Sequence, residues 1–138
     1  SSDLALHMNI PPDWELYGDP FYWTQVLFNL VENALKQNTE PGLSVTVAAA
    51  RTPEACVITV TDTGVGIPAE SLPFLFNRFY RVETHHSSEI KGTGLGLSIV
   101  KRAVEAHDGA ITVSSTPHRE TVFTITIPLK RFREEKEA

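Results

Sequence analysis

Several stretches of the chain carry residue types suited to chemistry. Gln25, Asn29 and Asn33 recur at every fourth position, and Lys36 follows three residues later. On a helix that spacing puts all four on one side. Asparagine is a mediocre helix former, so two on one stripe ask for a reason. A solvated helix face is one. A magnesium–phosphate site is another, because a side-chain amide oxygen is a hard, neutral ligand. Mg2+ takes few protein ligands and fills its octahedron with phosphate oxygens and water. A side-chain amide of this stripe is then a candidate ligand, and Lys36 balances phosphate charge.

A second stretch is Asp62-Thr63-Gly64-Val65-Gly66-Ile67. An aspartate can simply cap a glycine turn. It can also read a base: a carboxylate accepts from the exocyclic amine of adenine, whereas guanine presents an oxygen there. Glycines let backbone approach such a ring closely. A third stretch is Gly92-Thr93-Gly94-Leu95-Gly96-Leu97. At a helix start it is either a hinge or an anion site built from successive backbone N–H groups. Its spacing matches neither the dinucleotide G-x-G-x-x-G nor the P-loop. The run Phe74-Leu75-Phe76-Asn77-Arg78-Phe79-Tyr80-Arg81 is aromatic and basic. Its three phenylalanines read as packing anchors, while Arg78, Tyr80 and Arg81 suit phosphate or ribose. The five histidines are scattered without zinc spacing and read as structural or solvated.

These residues need a frame. Leu4, Leu6, Met8 and Ile10 alternate with other residues, the period of a strand that Pro11-Pro12 stops. Asp19-Pro20 starts a helix that runs to about residue 37, with Val26, Leu27, Leu30, Val31, Ala34 and Leu35 as its apolar stripe. Residues 43–50 and 55–61 form a hairpin around Thr52-Pro53. A short helical or turn segment covers 69–75. Residues 77–93 lack periodicity and read as a long functional loop. A second helix over 95–107 turns Leu97, Val100, Ala103 and Val104 inward and ends at Asp108-Gly109. Residues 111–113 and 122–127 close a second hairpin, with Phe123, Ile125 and Ile127 on one face and threonines on the other. Residues 131–138 are charged and read as a frayed end. The expected fold is α+β: a two-layer sandwich, with a mixed sheet and helices on one face.

With 138 residues the chain suits one domain, taken here as 1–138. The net charge of −5 argues against a nucleic-acid surface. No apolar run approaches the length of a membrane span. The lone Cys56 excludes a disulfide framework, reads as a small buried hydrophobe, and suits a reducing, cytoplasmic setting.

Four segments, taken in order, resemble the N, first glycine, F and second glycine boxes of the catalytic ATP-binding domain of sensor histidine kinases. They are Asn29-Leu30-Val31-Glu32-Asn33-Ala34-Leu35-Lys36, Asp62 to Ile67, Phe76-Asn77-Arg78-Phe79-Tyr80-Arg81, and Gly92 to Leu97. The resemblance spans roughly 9–129 and implies the Bergerat-type fold shared with gyrase, Hsp90 and MutL ATPases. It implies ATP and Mg2+ as ligands: Asn33 on the metal, Asn29 and Lys36 at the phosphates, and Asp62 with Gly64, Gly66 and Ile67 at the base. Residues 77–93 become an ATP lid carrying Tyr80 and Arg81, hinged by Gly92, Thr93, Gly94, Leu95, Gly96 and Leu97.

The resemblance further implies transfer of the γ-phosphoryl group to a histidine on a separate dimerisation domain of the same kinase, with a response regulator downstream. No helical hairpin for that acceptor precedes Ser1, so this chain is expected to be a catalytic half, monomeric alone and slow to turn ATP over. It departs from relatives at Gln37, where many carry tyrosine, at Asp108 in place of glycine, and at His118-Arg119-Glu120, where glycine is common. Hydrolytic relatives place a glutamate base four residues before the metal-binding asparagine. Here Asn29 stands there and cannot act as a base, which disfavours both a hydrolytic ATPase and a serine kinase of the anti-sigma type. A non-catalytic pseudokinase is allowed by Gln37 but disfavoured by the intact Asn33, Lys36, Asp62 and glycine boxes.

Overall fold

The computed structural model describes residues 5–12, 14–16, 18–37, 42–80 and 96–133. Along the chain run β1 (Ala5–Asn9), β2 (Glu15–Leu16), α1 (Pro20–Gln37), β3 (Ser44–Arg51), β4 (Ala55–Asp62), a 3-10 helix at Ala69–Phe74, α2 (Gly96–Ala106), β5 (Ala110–Thr116), β6 (Glu120–Pro128), a 3-10 turn at Leu129–Arg131, and β7 (Phe132–Arg133). Five strands form one sheet in the order β1-β3-β4-β6-β5. β1 joins β3 in parallel and the other neighbours are antiparallel.

The period-two pattern of the strands determines what each face does. Val45, Val47, Ile58, Val60, Phe123, Ile125 and Ile127 point to one face and are buried in a single core with Val26, Leu30 and Ala34 of α1 and Val100, Ala103 and Val104 of α2. The register sets them in transverse rows: Met8, Val47, Val60, Phe123 and Val113 in one, Ala49, Ile58, Ile125 and Ile111 in the next. Phe123 is the largest fully buried side chain, and truncating it to alanine would cost about 3–5 kcal/mol. Thr59, Thr124 and Thr126 turn to the other, more open face. The two-layer α+β sandwich expected from the pattern is therefore present.

Cys56 lies inside this core, and burial pushes its thiol pKa up from 9.0 to about 11. The Asp19 carboxylate accepts the Phe21 N–H at 2.8 Å, capping α1 where Pro20 opens it. Between Ala103 and Gly109, α2 ends in a buried latch. His107 Nδ1 lies 2.8 Å from the Ala103 carbonyl, and its Nε2 accepts the Asp19 N–H at 3.0 Å. A backbone N–H can only donate, so Nε2 is the bare nitrogen and Nδ1 carries the proton. Trp23 and Tyr22 pack on the ring at centroid distances of 5.1 and 6.0 Å. The start of α1 is thereby fastened to the end of α2, and the two helices run antiparallel.

Several expectations need correcting. Leu35 is 41% exposed, so the buried stripe of α1 ends at Ala34. Of the three phenylalanines expected to anchor packing, Phe76 reaches the main core, edge-on to Phe123 at 6.2 Å, while Phe74 packs only on Tyr80. Phe74 and Phe79 are exposed. At the carboxyl end Phe132–Arg133 pairs with Glu15–Leu16 in a small second sheet; two residues of strand are too few to show any period. The last hairpin is also longer and its turn tighter than the apolar residues alone suggested.

Candidate functional site

At one end of the helix-covered face the transverse rows stop being apolar. The last row consists of Leu6, Val45, Asp62, Thr121 and Ser115. Asp62 and Thr121 are buried, at 6% and 3% exposure. A carboxylate in such a place requires compensation, and part of it is local: Asp62 Oδ1 accepts the Gly64 N–H at 3.0 Å. The capping role read for Asp62 is thus present.

The glycine turn after Asp62 is held against the β5–β6 turn. His118 N–H donates to the Val65 carbonyl at 2.6 Å, and Ile67 N–H donates to Ser115 Oγ at 2.7 Å. Gly66 sits between them at φ +77°, where a Cβ would lie 2.6 Å from the Thr116 carbonyl oxygen and 2.8 Å from Pro117 Cα. Only glycine fits that backbone and that gap. Ile67 is buried against Leu75, with Leu72, Tyr80, Leu97 and Val113 around them. Tyr80 is fixed by its hydroxyl, 2.9 Å from Ser71 Oγ, and by the Phe74 ring at 5.7 Å.

Across the helix layer, Asn29 and Asn33 lie one turn apart on α1, both half-buried. Asn29 Nδ2 donates back to the Gln25 carbonyl at 2.8 Å, which fixes the amide's orientation. Its Oδ1 faces the first residue of α2: a Cβ on Gly96 would sit 3.3 Å from it. The antiparallel helices therefore bring the asparagine stripe to the amino end of α2, where Leu97 reaches the Ile67 cluster. Asp62, Gly64, Gly66, Ile67 and Tyr80 are joined through the glycine turn, and Asn29, Gly96 and Leu97 across the helices. Arg81, Gly92, Thr93, Gly94 and Leu95 lie outside the described residues, as does the side chain of Lys36. Arg78 places its guanidinium over the Phe79 ring at 5.3 Å.

Thr121 and Ser115 were missed in the sequence. The signal was present: Ile111, Val113 and Ser115, like Thr121, Phe123 and Ile125, fall on the alternating core face. A hydroxyl at a core position next to a turn is a polar exception worth following.

The donors fit an adenine nucleotide with its cation. A buried carboxylate edge sits on a backbone that only glycine allows, and across the helix layer lie two amides, the kind of hard neutral donor Mg2+ accepts beside phosphate. Among the described residues no group of three or more His, Cys, Asp or Glu could hold a metal, and no helix is long and apolar enough to cross a membrane.

Comparison with known proteins points the same way. Residues 18–131 match the model of the histidine kinase-, DNA gyrase B-, and HSP90-like ATPase family. The chain is 39% identical over 127 residues to the sensor histidine kinase WalK of Bacillus subtilis (strain 168), covering 90% of this chain and 21% of that protein. It is 40% identical over 134 residues to the adaptive-response sensory kinase SasA of Synechococcus elongatus, covering 96% and 34%. The chain thus spans between about a fifth and a third of the length of these relatives. Among solved structures, the mycobacterial sensor histidine kinase MprB superposes with a TM-score of 0.79 at 30% identity, covering 92% of this chain and 84% of that one. Full-length ShkA in complex with AMPPNP gives 0.74 at 26% identity, over 91% of this chain and 25% of that one.

Proposed function

The chain belongs to the histidine kinase-, DNA gyrase B-, and HSP90-like ATPase family, and from that premise we propose that it holds Mg-ATP and presents the γ-phosphoryl group to a histidine on a separate dimerisation domain, the first step of two-component signalling. The observation that carries the base end of this reading is the buried Asp62–Thr121 pair beside the Gly66 turn. The carboxylate accepts from the adenine amine, and the turn lets the ring lie against backbone. At the phosphate end, Asn29 is oriented by Gln25 and faces the start of α2, while Asn33 and Lys36 follow on the same helix side. Asn33 would hold Mg2+, which when bound supplies charge neutralisation at the phosphates. Lys36, Arg81 and the backbone of residues 92–97 would add to it, and residues 77–93 would close over the nucleotide.

Phosphoryl transfer needs position and charge stabilisation more than covalent help from the protein. The bond from the γ-phosphorus to the bridging oxygen breaks, a bond to the acceptor imidazole nitrogen forms, and ADP leaves. Neither Asn29 nor Asn33 can deprotonate water, so hydrolysis by the chain alone is slow. The phosphoacceptor domain and a response regulator are the partners, and the setting is cytoplasmic.

Titration with Mg-ATP, followed by calorimetry, tests this. Saturable binding is expected, and Asp62→Asn should weaken it by about 100-fold with little change in melting temperature. A folded protein that takes up no Mg-ATP would sink the reading. Phosphate release at a rate that a phosphoacceptor domain does not raise would replace kinase with hydrolase.

A further inference from the structure

Two helices serve a five-stranded sheet, and they do not span it. α2 lies against β5 and α1 against β4, which leaves β1, at the far edge, beyond the helix layer. Strands stand about 4.8 Å apart and packed helices about 9–10 Å, so two helices cover about four strands. The side chains of β1 are nonetheless of core type. Leu6 and Met8 continue the rows of Val45 and Val47, yet they are 53 and 57% exposed.

α1 is apolar on the same flank. Successive helical residues turn by about 100°. Asn29 faces the start of α2, so Leu27 and Val31 fall on the opposite side, toward β1, partly buried against the core. Past them come Phe21, Phe28 and Leu35, spaced seven apart and 63, 58 and 41% exposed. A seven-residue apolar repeat is the seam of one helix laid along another. At about 180 Å² for a whole large apolar side chain, these five exposed residues open roughly 500 Å², near the top of the range for a monomer's largest patch. Two such faces joined would bury about 1,000 Å² of apolar surface. Interfaces are about 60% apolar, so that corresponds to a contact of about 1,600 Å², the standard size for a stable pair. The charges agree. The charged residues of α1 are Glu32 and Lys36. When α1 is laid antiparallel on its own copy with Phe28 on the axis, Phe21 comes opposite Leu35, Glu32 comes opposite Thr24, and no like charges meet.

We propose that this face is a homodimer contact: α1 of one copy pairs antiparallel with α1 of a second copy about a two-fold axis at Phe28, and Leu6 and Met8 extend the contact along the sheet edge. A two-fold contact uses the same patch on both copies, and a heptad seam centred on one residue meets that condition. Asn29 lies about 100° round the helix from Phe28, so the asparagine stripe turns away from the second copy. The contact stands independently of the nucleotide reading, and it departs from the monomer expected of the domain alone.

Sedimentation velocity on the whole chain, from micromolar to millimolar concentration, tests this. A reversible monomer–dimer equilibrium is expected. Phe28→Glu sets two carboxylates together on the axis and should raise the dissociation constant about 100-fold, since each substitution counts twice in a symmetric contact. Met8→Lys, at the sheet edge, should raise it about tenfold. Ile99→Glu changes an exposed apolar residue of α2, outside the face, and should leave it unmoved. In a Cys56→Ala background, Phe28→Cys should give a disulfide-linked dimer under mild oxidation, because the axis brings the two side chains together. A chain that stays monomeric at millimolar concentration overturns the proposal, whichever other partner takes the face. So does an equal response to Ile99→Glu and Phe28→Glu, or a cross-link that does not form. If Phe28→Glu does not fold, Met8→Lys and the cross-link decide. Failure to dimerise leaves Mg-ATP binding standing, and a dimer that takes up no Mg-ATP sinks the proposed function alone.

Discussion

Two buried polar clusters lie at opposite ends of α2, and they are built differently. At the carboxyl end, His107 has a backbone partner for each ring nitrogen, Ala103 on one side and Asp19 on the other. That cluster pairs both imidazole nitrogens and joins one helix to another, although the Trp23 indole N–H packed beside the ring is buried without a hydrogen-bond partner. At the amino end, the chain of contacts from Ile67 through Ser115 to Thr121 leads to a buried carboxylate. That carboxylate also holds the Gly64 N–H of the glycine turn. The first cluster fixes a frame; on the proposed function the second is the one that meets the nucleotide. The same element types support both, so burial of a polar residue does not by itself separate the two roles.

The contrast can be broken by substitution. The largest expected effect is that of Gly66→Ala. Its Cβ would collide with the Thr116 carbonyl and Pro117, displacing the turn beside Asp62, and Mg-ATP affinity should drop about 100-fold or more in a titration on protein still folded by circular dichroism. Next, His107→Ala removes ring packing and leaves the Asp19 N–H without its acceptor. Urea melts should show a loss of about 2–3 kcal/mol, with nucleotide affinity of the folded protein within about threefold of wild type. If His107→Ala weakened binding as much as Gly66→Ala, the division between frame and site would fail.

The smallest effects sharpen the comparison. Asp108, at φ 64°, and His118, at φ 62°, adopt left-handed backbone beside the two clusters, one each. Asp108→Gly and His118→Gly should each raise stability by about 0.5–1 kcal/mol in thermal melts. The exposed Lys130–Asp108 pair at 3.3 Å offsets little of the first gain. The backbone N–H that ties the His118 turn to Val65 survives in glycine, so neither substitution should change nucleotide affinity.

Much of this was legible beforehand because it rests on period and residue type. The α1 start followed from Asp19-Pro20 and the core face of β6 from alternation, while Asp62 and Gly66 were singled out by their chemistry. What the sequence hid depends on register. Nothing local says that Ser115 stands across from Thr121, or Thr121 from Asp62; strand pairing over long separations decides it. Asp108 read only as a departure from the glycine of relatives, because φ is not written in side-chain type. The paired Phe132–Arg133 escaped for a different reason, since charge at a chain end resembles fraying until a partner strand is in view.

Cys56 gives the sheet a clock. The thiol is walled in by core side chains, burial pushes its pKa up to about 11, and thiolate is the form that reacts. Modification by an alkylating reagent must therefore wait for β4 to part from its neighbours, so the labelling rate counts openings of the whole sheet rather than of any loop. Its folded pKa lies above the unfolded one, so the stability it confers is complete below about pH 9 and drains away as pH climbs toward 11. Over that interval the clock should run faster, and in Cys56→Ala the alkaline loss of stability due to this thiol should vanish.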